Sequence, residues 1–97
     1  MSGAPQLRED ARPRLSRGVR LTHNEAQGGW VLLAPERVFK ADAITAEILQ
    51  RCNGERTVTE IVNELARAFA GAPRGRIQAD VMALLGTLAE KRLLELA

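Results

Sequence analysis

The chain has 97 residues and a formal net charge of +2 from 14 basic and 12 acidic side chains, with 45% hydrophobic and 27% charged residues. Those values fit one globular domain that buries roughly two-thirds of its unfolded surface in a single core, with no room for a second. They exclude a membrane span, since no apolar run approaches about 18 residues. With one cysteine, Cys52, and one histidine, His23, they also exclude a disulfide framework and a protein-only zinc site.

The opening Met1-Ser2-Gly3-Ala4-Pro5 lacks the continuous apolar segment of a secretory signal, so a cytoplasmic protein is expected. Residues 1–14 contain two prolines and little apolar periodicity and are expected to form a flexible arm. Its basic run, Arg8, Arg12 and Arg14 continuing to Arg17 and Arg20, is offset only by Glu9 and Asp10. A solubilising face accounts for the run more economically than a contact with an acidic peptide or phosphate.

A single domain is expected over residues 15–97. Val19, Leu21 and His23 alternate with Arg20 and Thr22, the pattern of a half-buried strand. The polar, glycine-rich segment Asn24 to Gly29 then forms a hairpin loop. Trp30 to Ala34 is apolar at both parities, as in a strand covered on two faces. Pro35 presets a turn, and a short third strand follows over Val38 to Ala41. A small antiparallel meander results.

Three helices are predicted next. Asp42 caps the first, which carries Ile44, Ile48, Leu49 and Cys52 until Asn53-Gly54 stops it. Thr57-Val58-Thr59-Glu60 has capping-box spacing, so a second helix starts near Val58 and ends before Gly71. The third runs from about Arg76 to Leu94. At 100° per residue Ile77, Val81, Leu84 and Leu88 make one stripe, while Met82, Leu85 and Ala89 make another about 100° around. One stripe suffices for a core. The second either packs on a neighbour or lines a ligand groove.

No catalytic pattern emerges. The chain lacks a phosphate-cradling glycine loop and a serine or cysteine in a nucleophile motif, and its carboxylates form no pair at a fixed separation. His23 reads as a rim residue and Cys52 as a small core hydrophobe. Neither a cofactor nor a metal is expected. A three-stranded sheet with three helices is also the inventory of a winged helix-turn-helix regulator, which makes DNA binding the alternative function. Asp80 near the start of the third helix opposes phosphates, however, and the net charge is small. A binding module fits better. An edge strand over Arg37 to Ala41 can accept an extended peptide as an added strand, with Arg37 and Lys40 meeting acidic side chains and Met82, Leu85 and Ala89 supplying apolar contact.

Several segments recur together in one known family. Arg17-Gly18-Val19-Arg20-Leu21 precedes Trp30-Val31-Leu32-Leu33-Ala34-Pro35-Glu36, and then come Ile48-Leu49, Cys52-Asn53-Gly54, Thr57-Val58-Thr59-Glu60-Ile61-Val62 and Asp80-Val81. Across residues 13–94 the chain resembles the pyrroloquinoline quinone (PQQ) biosynthesis protein D family, PqqD. The resemblance implies a non-catalytic peptide chaperone of α+β, winged helix-turn-helix-like fold, a three-stranded antiparallel sheet followed by a three-helix bundle. It implies two partners, the ribosomal precursor peptide and the radical S-adenosylmethionine enzyme that crosslinks the peptide's glutamate and tyrosine. The peptide would lie between the third strand and the third helix, which selects Arg37, Val38, Phe39, Lys40, Gln78, Met82, Leu85 and Ala89 as its contacts. Neither nucleic acid nor membrane is implied, and a homodimer by strand exchange is an expected arrangement. Three residues depart from the family pattern: Asn53 replaces an aspartate, Arg92 a glycine before the terminal apolar pair, and Lys40 an apolar residue in the third strand. A one-residue slip of that strand would exchange Val38 and Phe39 between faces.

Overall fold

The structure is a computed structural model that describes residues 7–97. In chain order the elements are β1 (Pro13–Leu15), β2 (Arg20–Asn24), β3 (Gly29–Ala34), β4 (Arg37–Ala41), α1 (Ala43–Gln50), α2 (Val58–Ala68), α3 (Arg74–Glu90) and β5 (Leu94–Leu96). Strands β2, β3 and β4 form the expected antiparallel meander in that spatial order. A second, two-stranded sheet of β1 and β5 was not anticipated.

The meander's turns follow from local chemistry. Asn24 caps a single 3-10 turn over Glu25–Gln27 by accepting the Ala26 N–H at 2.9 Å, and Gly28 closes it at a φ of 89°. Between β3 and β4 the pair Ala34↔Arg37 encloses only Pro35 and Glu36. Glu36 has a φ of 66°, so proline followed by a left-handed residue gives the order of a type II turn. Leu21, Leu32 and Phe39 are register partners across the sheet, and all three belong to the core packing. Alternation then sends Val38 and Lys40 to the opposite, outer face. The apolar position expected at Lys40 is an outward one, opposite Val31.

Asp42 caps α1 as expected, accepting the Thr45 N–H at 2.8 Å. The capping box of α2 is complete. Thr57 Oγ1 accepts the Glu60 N–H at 3.1 Å while Glu60 Oε1 accepts the Thr57 N–H at 2.7 Å. Two further N–H groups of that helix end are taken by the segment before β1, Val58 donating to the Ala11 carbonyl at 2.9 Å and Thr59 to the Glu9 carbonyl at 3.1 Å. Residues 1–6 of the expected arm lie outside the described residues. The rest of it differs from a free arm: Pro13 is fully buried in β1, and Leu7 and Ala11 pack against the core. Unsatisfied N–H groups at a helix start and a free edge on β5 give this low-periodicity segment partners that its own sequence does not reveal.

The third helix also ends earlier than Leu94. Arg92 sits at a φ of 61°, its N–H donating to the Ala89 carbonyl while the Leu93 N–H donates to the Leu88 carbonyl. That bond pair is a Schellman stop, with Leu88 and Leu93 both buried as its apolar contact. The chain then reverses, and Leu94–Leu96 pairs with β1 in antiparallel register, Arg14 lying opposite Glu95 and bonded to it at 2.9 Å. Beneath both sheets the core is contiguous, with Leu32 of β3, Ile48 and Leu49 of α1, Ile61 and Leu65 of α2, and Val81 and Leu85 of α3 almost wholly buried.

Candidate peptide-binding groove

Strand β4 has β3 on one side and, among the described residues, no strand on the other. Because Ala34 and Arg37 flank a two-residue turn, they form a hydrogen-bonded pair, and the alternation of antiparallel ladders leaves Val38 and Lys40 with their N–H and C=O directed outward. Those groups are free to pair with an added strand. On the inner face of β4 the Arg37 guanidinium lies over the Phe39 ring, 5.4 Å from its centre. Phe39 is itself half-buried against the core.

Helix α1 follows β4 directly and forms one wall of a cleft of about 280 Å³ between the three helices. Ile44 and Ile48 of α1 form one wall, Leu65 and Phe69 the α2 wall, and Ile77 and Val81 the α3 wall. Ile44 is 46% exposed, unusual for an isoleucine. At the rim Arg76 and Asp80 stand one helical turn apart at 4.0 Å, both mostly exposed, so each keeps capacity for an incoming charge. This is an apolar slot with a polar lip. It suits an aliphatic side chain on an extended backbone.

The sequence-expected contacts divide accordingly. Arg37, Val38, Phe39 and Lys40 do form the edge strand, with the side chains of Val38 and Lys40 on its outer face. Leu85 is 0% exposed and Ala89 is buried, so neither lines an open groove. Met82 packs against the core, and Gln78 is tied to Arg74 and Glu9, each at 3.3 Å. Both stripes of α3 therefore reach the core, Leu85 and Ala89 of the second being buried alongside Val81 and Leu88 of the first. The cleft opens at the N-terminal end of the first stripe, at Ile77, Asp80 and Val81. Amphipathic arithmetic finds both stripes, but which of them meets α2 depends on how α3 is rotated, and no local residue encodes that. Ile44 was missed for a related reason: at helical spacing it resembles any other core residue of α1.

Nothing in the groove is arranged for bond chemistry. Burial pushes the Cys52 thiol up to about 12, and its Sγ donates to the Ile48 carbonyl at 3.3 Å. It is not an activated nucleophile. His23 packs edge-on against Trp30 at 5.1 Å on the sheet. Among the described residues no three potential metal ligands cluster, and no helix is long and apolar enough to cross a membrane.

Comparison with known proteins points to recognition. The chain is 47% identical over 96 residues to the PqqA binding protein of Xanthomonas axonopodis pv. citri, covering 99% of this chain and 100% of that one. It is 48% identical over 83 residues to the PqqA binding protein of Bradyrhizobium diazoefficiens, covering 86% and 80%. Its fold matches the solution structure of the PqqD truncation of Methylobacterium extorquens PqqCD, described as a functional and stand-alone RiPP recognition element, with a TM-score of 0.74, 42% identity and 89% coverage of both chains. The crystal structure of PqqD from Xanthomonas campestris matches with a TM-score of 0.57 at 42% identity, over 93% of this chain and 99% of that one. These relatives are named for binding and recognition and not for catalysis. The family model described as coenzyme PQQ synthesis protein D matches residues 29–94, and with these relatives it establishes that the chain belongs to the PqqD family.

Proposed function

We propose that this protein binds the ribosomally made precursor peptide of PQQ as a strand added to β4, and presents it to a radical S-adenosylmethionine enzyme for glutamate–tyrosine crosslinking. The observation that carries the reading is a strand edge unpaired among the described residues, β4, that runs directly into α1, the helix whose Ile44 and Ile48 wall an apolar cleft. Each net hydrogen bond contributes about 0.5–1.5 kcal/mol, and micromolar affinity needs about 8 kcal/mol. The four backbone groups that Val38 and Lys40 direct outward, even if all are paired, are too few alone. An aliphatic side chain in the cleft supplies about 1.5–3 kcal/mol more. Arg37 and the Arg76–Asp80 lip then set register and direction through charge. Relatives that bear the name PqqA binding protein support this ligand class.

The architecture is read as winged-helix-like, with its sheet edge turned to peptide recognition rather than to a DNA groove. Asp80 beside Arg76 at the cleft lip disfavours a phosphate backbone there. The protein is placed in the cytoplasm with the peptide it receives. Calorimetric titration with the precursor peptide, repeated with random duplex DNA, tests the reading. Saturable peptide binding at micromolar affinity or tighter is expected. Absence of peptide heat together with salt-sensitive DNA binding would replace it with the regulator function.

A further inference from the structure

Half of the cleft's lining comes from one short stretch of chain. Phe69, Ala72, Pro73, Arg76 and Ile77 all lie where α2 ends and α3 begins, and every residue from Ala70 to Arg76 is exposed. Packing therefore does little to place this stretch. Local chemistry does little more. Phe69 leaves α2 at a φ of −120° and a ψ of 64°, outside helical geometry. Asp42 and Thr57 cap α1 and α2 with their side chains, whereas Pro73 at the N-cap of α3 makes no such bond. The first turn of α3 has no acidic residue and carries Arg74 and Arg76, which oppose the positive end of the helix dipole.

The missing support comes from the neighbouring helix. Arg74 donates to Asn63 Oδ1 through Nε at 3.1 Å and through a terminal guanidinium nitrogen at 2.9 Å, joining the first residue of α3 to the middle of α2. Among the described residues no other side-chain hydrogen bond ties residues 69–77 to α2. The further bond from Arg74 to Gln78 stays within α3, and Glu9 reaches Gln78 rather than Arg74, so the pair does not depend on the N-terminal segment. At 100° per residue Asn63 lies about 160° around α2 from Leu65, which places the pair behind the two helices and away from the cleft. We propose that Arg74 is a positioning residue for the cleft: clasped to Asn63, it holds the start of α3 against α2 and sets the gap between Phe69 and Ile77 without touching the peptide. The proposal rests on the reading of the cleft as the peptide's side-chain slot and deepens it. A radial gap of roughly 0.5–1 Å already forfeits a quarter to a half of a van der Waals contact, so a small swing of α3 matters to a seated aliphatic group.

Titration of the precursor peptide into the parent protein and into the Arg74→Ala, Asn63→Ala and Asn63→Asp variants tests the clasp. Hydrogen exchange is followed alongside, without peptide, at the Arg76 and Ile77 amides, which donate to the Pro73 carbonyl. Each alanine variant should bind the peptide about three- to tenfold more weakly and exchange these amides at least about threefold faster. Their melting temperatures should stay within about three degrees of the parent's, the lost bonds being at the surface. The double alanine variant should bind no more weakly than either single one. Asn63→Asp, which presents the same acceptor with a charge, should match the parent in both readouts. Parental affinity and exchange in the alanine variants overturn the clasp and leave the peptide reading intact. A loss of affinity that only follows a fall in melting temperature, or that Asn63→Asp shares, also overturns it. If the parent protein takes up no peptide, the peptide reading falls by itself; faster exchange in the alanine variants then still supports the clasp, and parental exchange overturns it.

Discussion

Arg92 occupies a left-handed position, φ 61°, inside a Schellman stop where the absence of a Cβ relieves strain. The strain relieved exceeds the extra entropy that glycine loses on folding. Arg92→Gly should therefore stabilise the fold by about 0.5–1 kcal/mol, read as a rise of a few degrees in the melting temperature. A second residue-scale effect lies in the ion-pair cluster of α1 and α2. Glu64 accepts from Arg56 Nε at 2.7 Å and from Arg51 Nε at 3.0 Å, and the bond from Arg56 above all holds its carboxyl below the ordinary 4.5. Asp42 and Glu60 are lowered too, Asp42 first by the backbone N–H of Thr45 that it accepts and Glu60 first by that of Thr57. Depressed carboxylates bind fewer protons folded than unfolded, so their contribution is complete above the ordinary value and is lost as the pH falls through the lowered one. Denaturation midpoints should drop progressively as the pH falls below the ordinary carboxylate range. Glu64→Gln should shrink that drop while costing up to about 1 kcal/mol near neutrality, the pairs being part exposed.

At the scale of elements, the rotation of α3 separates core from groove. Leu85→Ala should cost about 2–5 kcal/mol of stability, because the side chain is fully buried, and leave peptide affinity nearly unchanged in the folded fraction. Ile44→Asp should do the reverse, weakening the peptide about tenfold or more with a melting temperature close to the parent's. Equal peptide binding by folded Ile44→Asp would remove the cleft from the site. Edge pairing has its own probe. The Lys40 N–H points away from β3, so Lys40→Pro removes a donor to the added strand without breaking the ladder and should weaken the peptide roughly two- to tenfold. The helix starts were legible for the same local reason, since Asp42 and the Thr57–Glu60 box satisfy neighbours three residues away. The end of α3 was not legible, because an arginine at the left-handed position conceals a stop that glycine would announce.

For the molecule as a whole, chain termini close the fold. β1 and β5 pair across 81 residues at Arg14 and Glu95, and the carbonyls of Glu9 and Ala11 complete the start of α2. Removing residues 1–12 should lower stability by about 1–2 kcal/mol, measured by chemical denaturation, through loss of these helix-end bonds. Peptide affinity should persist in the folded fraction, since the groove is built from β4, α1, α3 and the far end of α2 and contains none of the removed residues. The sequence by itself determined the meander, its proline turn, three helices with two of their caps, and the family through motifs spaced along the chain. Those features rest on periodicity and on contacts within a few residues. Only the tertiary structure decided that residues 7–14 are bound in place, that Leu94–Leu96 is a strand, and that Ile44 and Ile77 rather than Leu85 and Ala89 face the cleft. The reason is common to all three. Each depends on contacts between distant segments, where an apolar stripe or a strand of three residues has no local signature that distinguishes one partner from another.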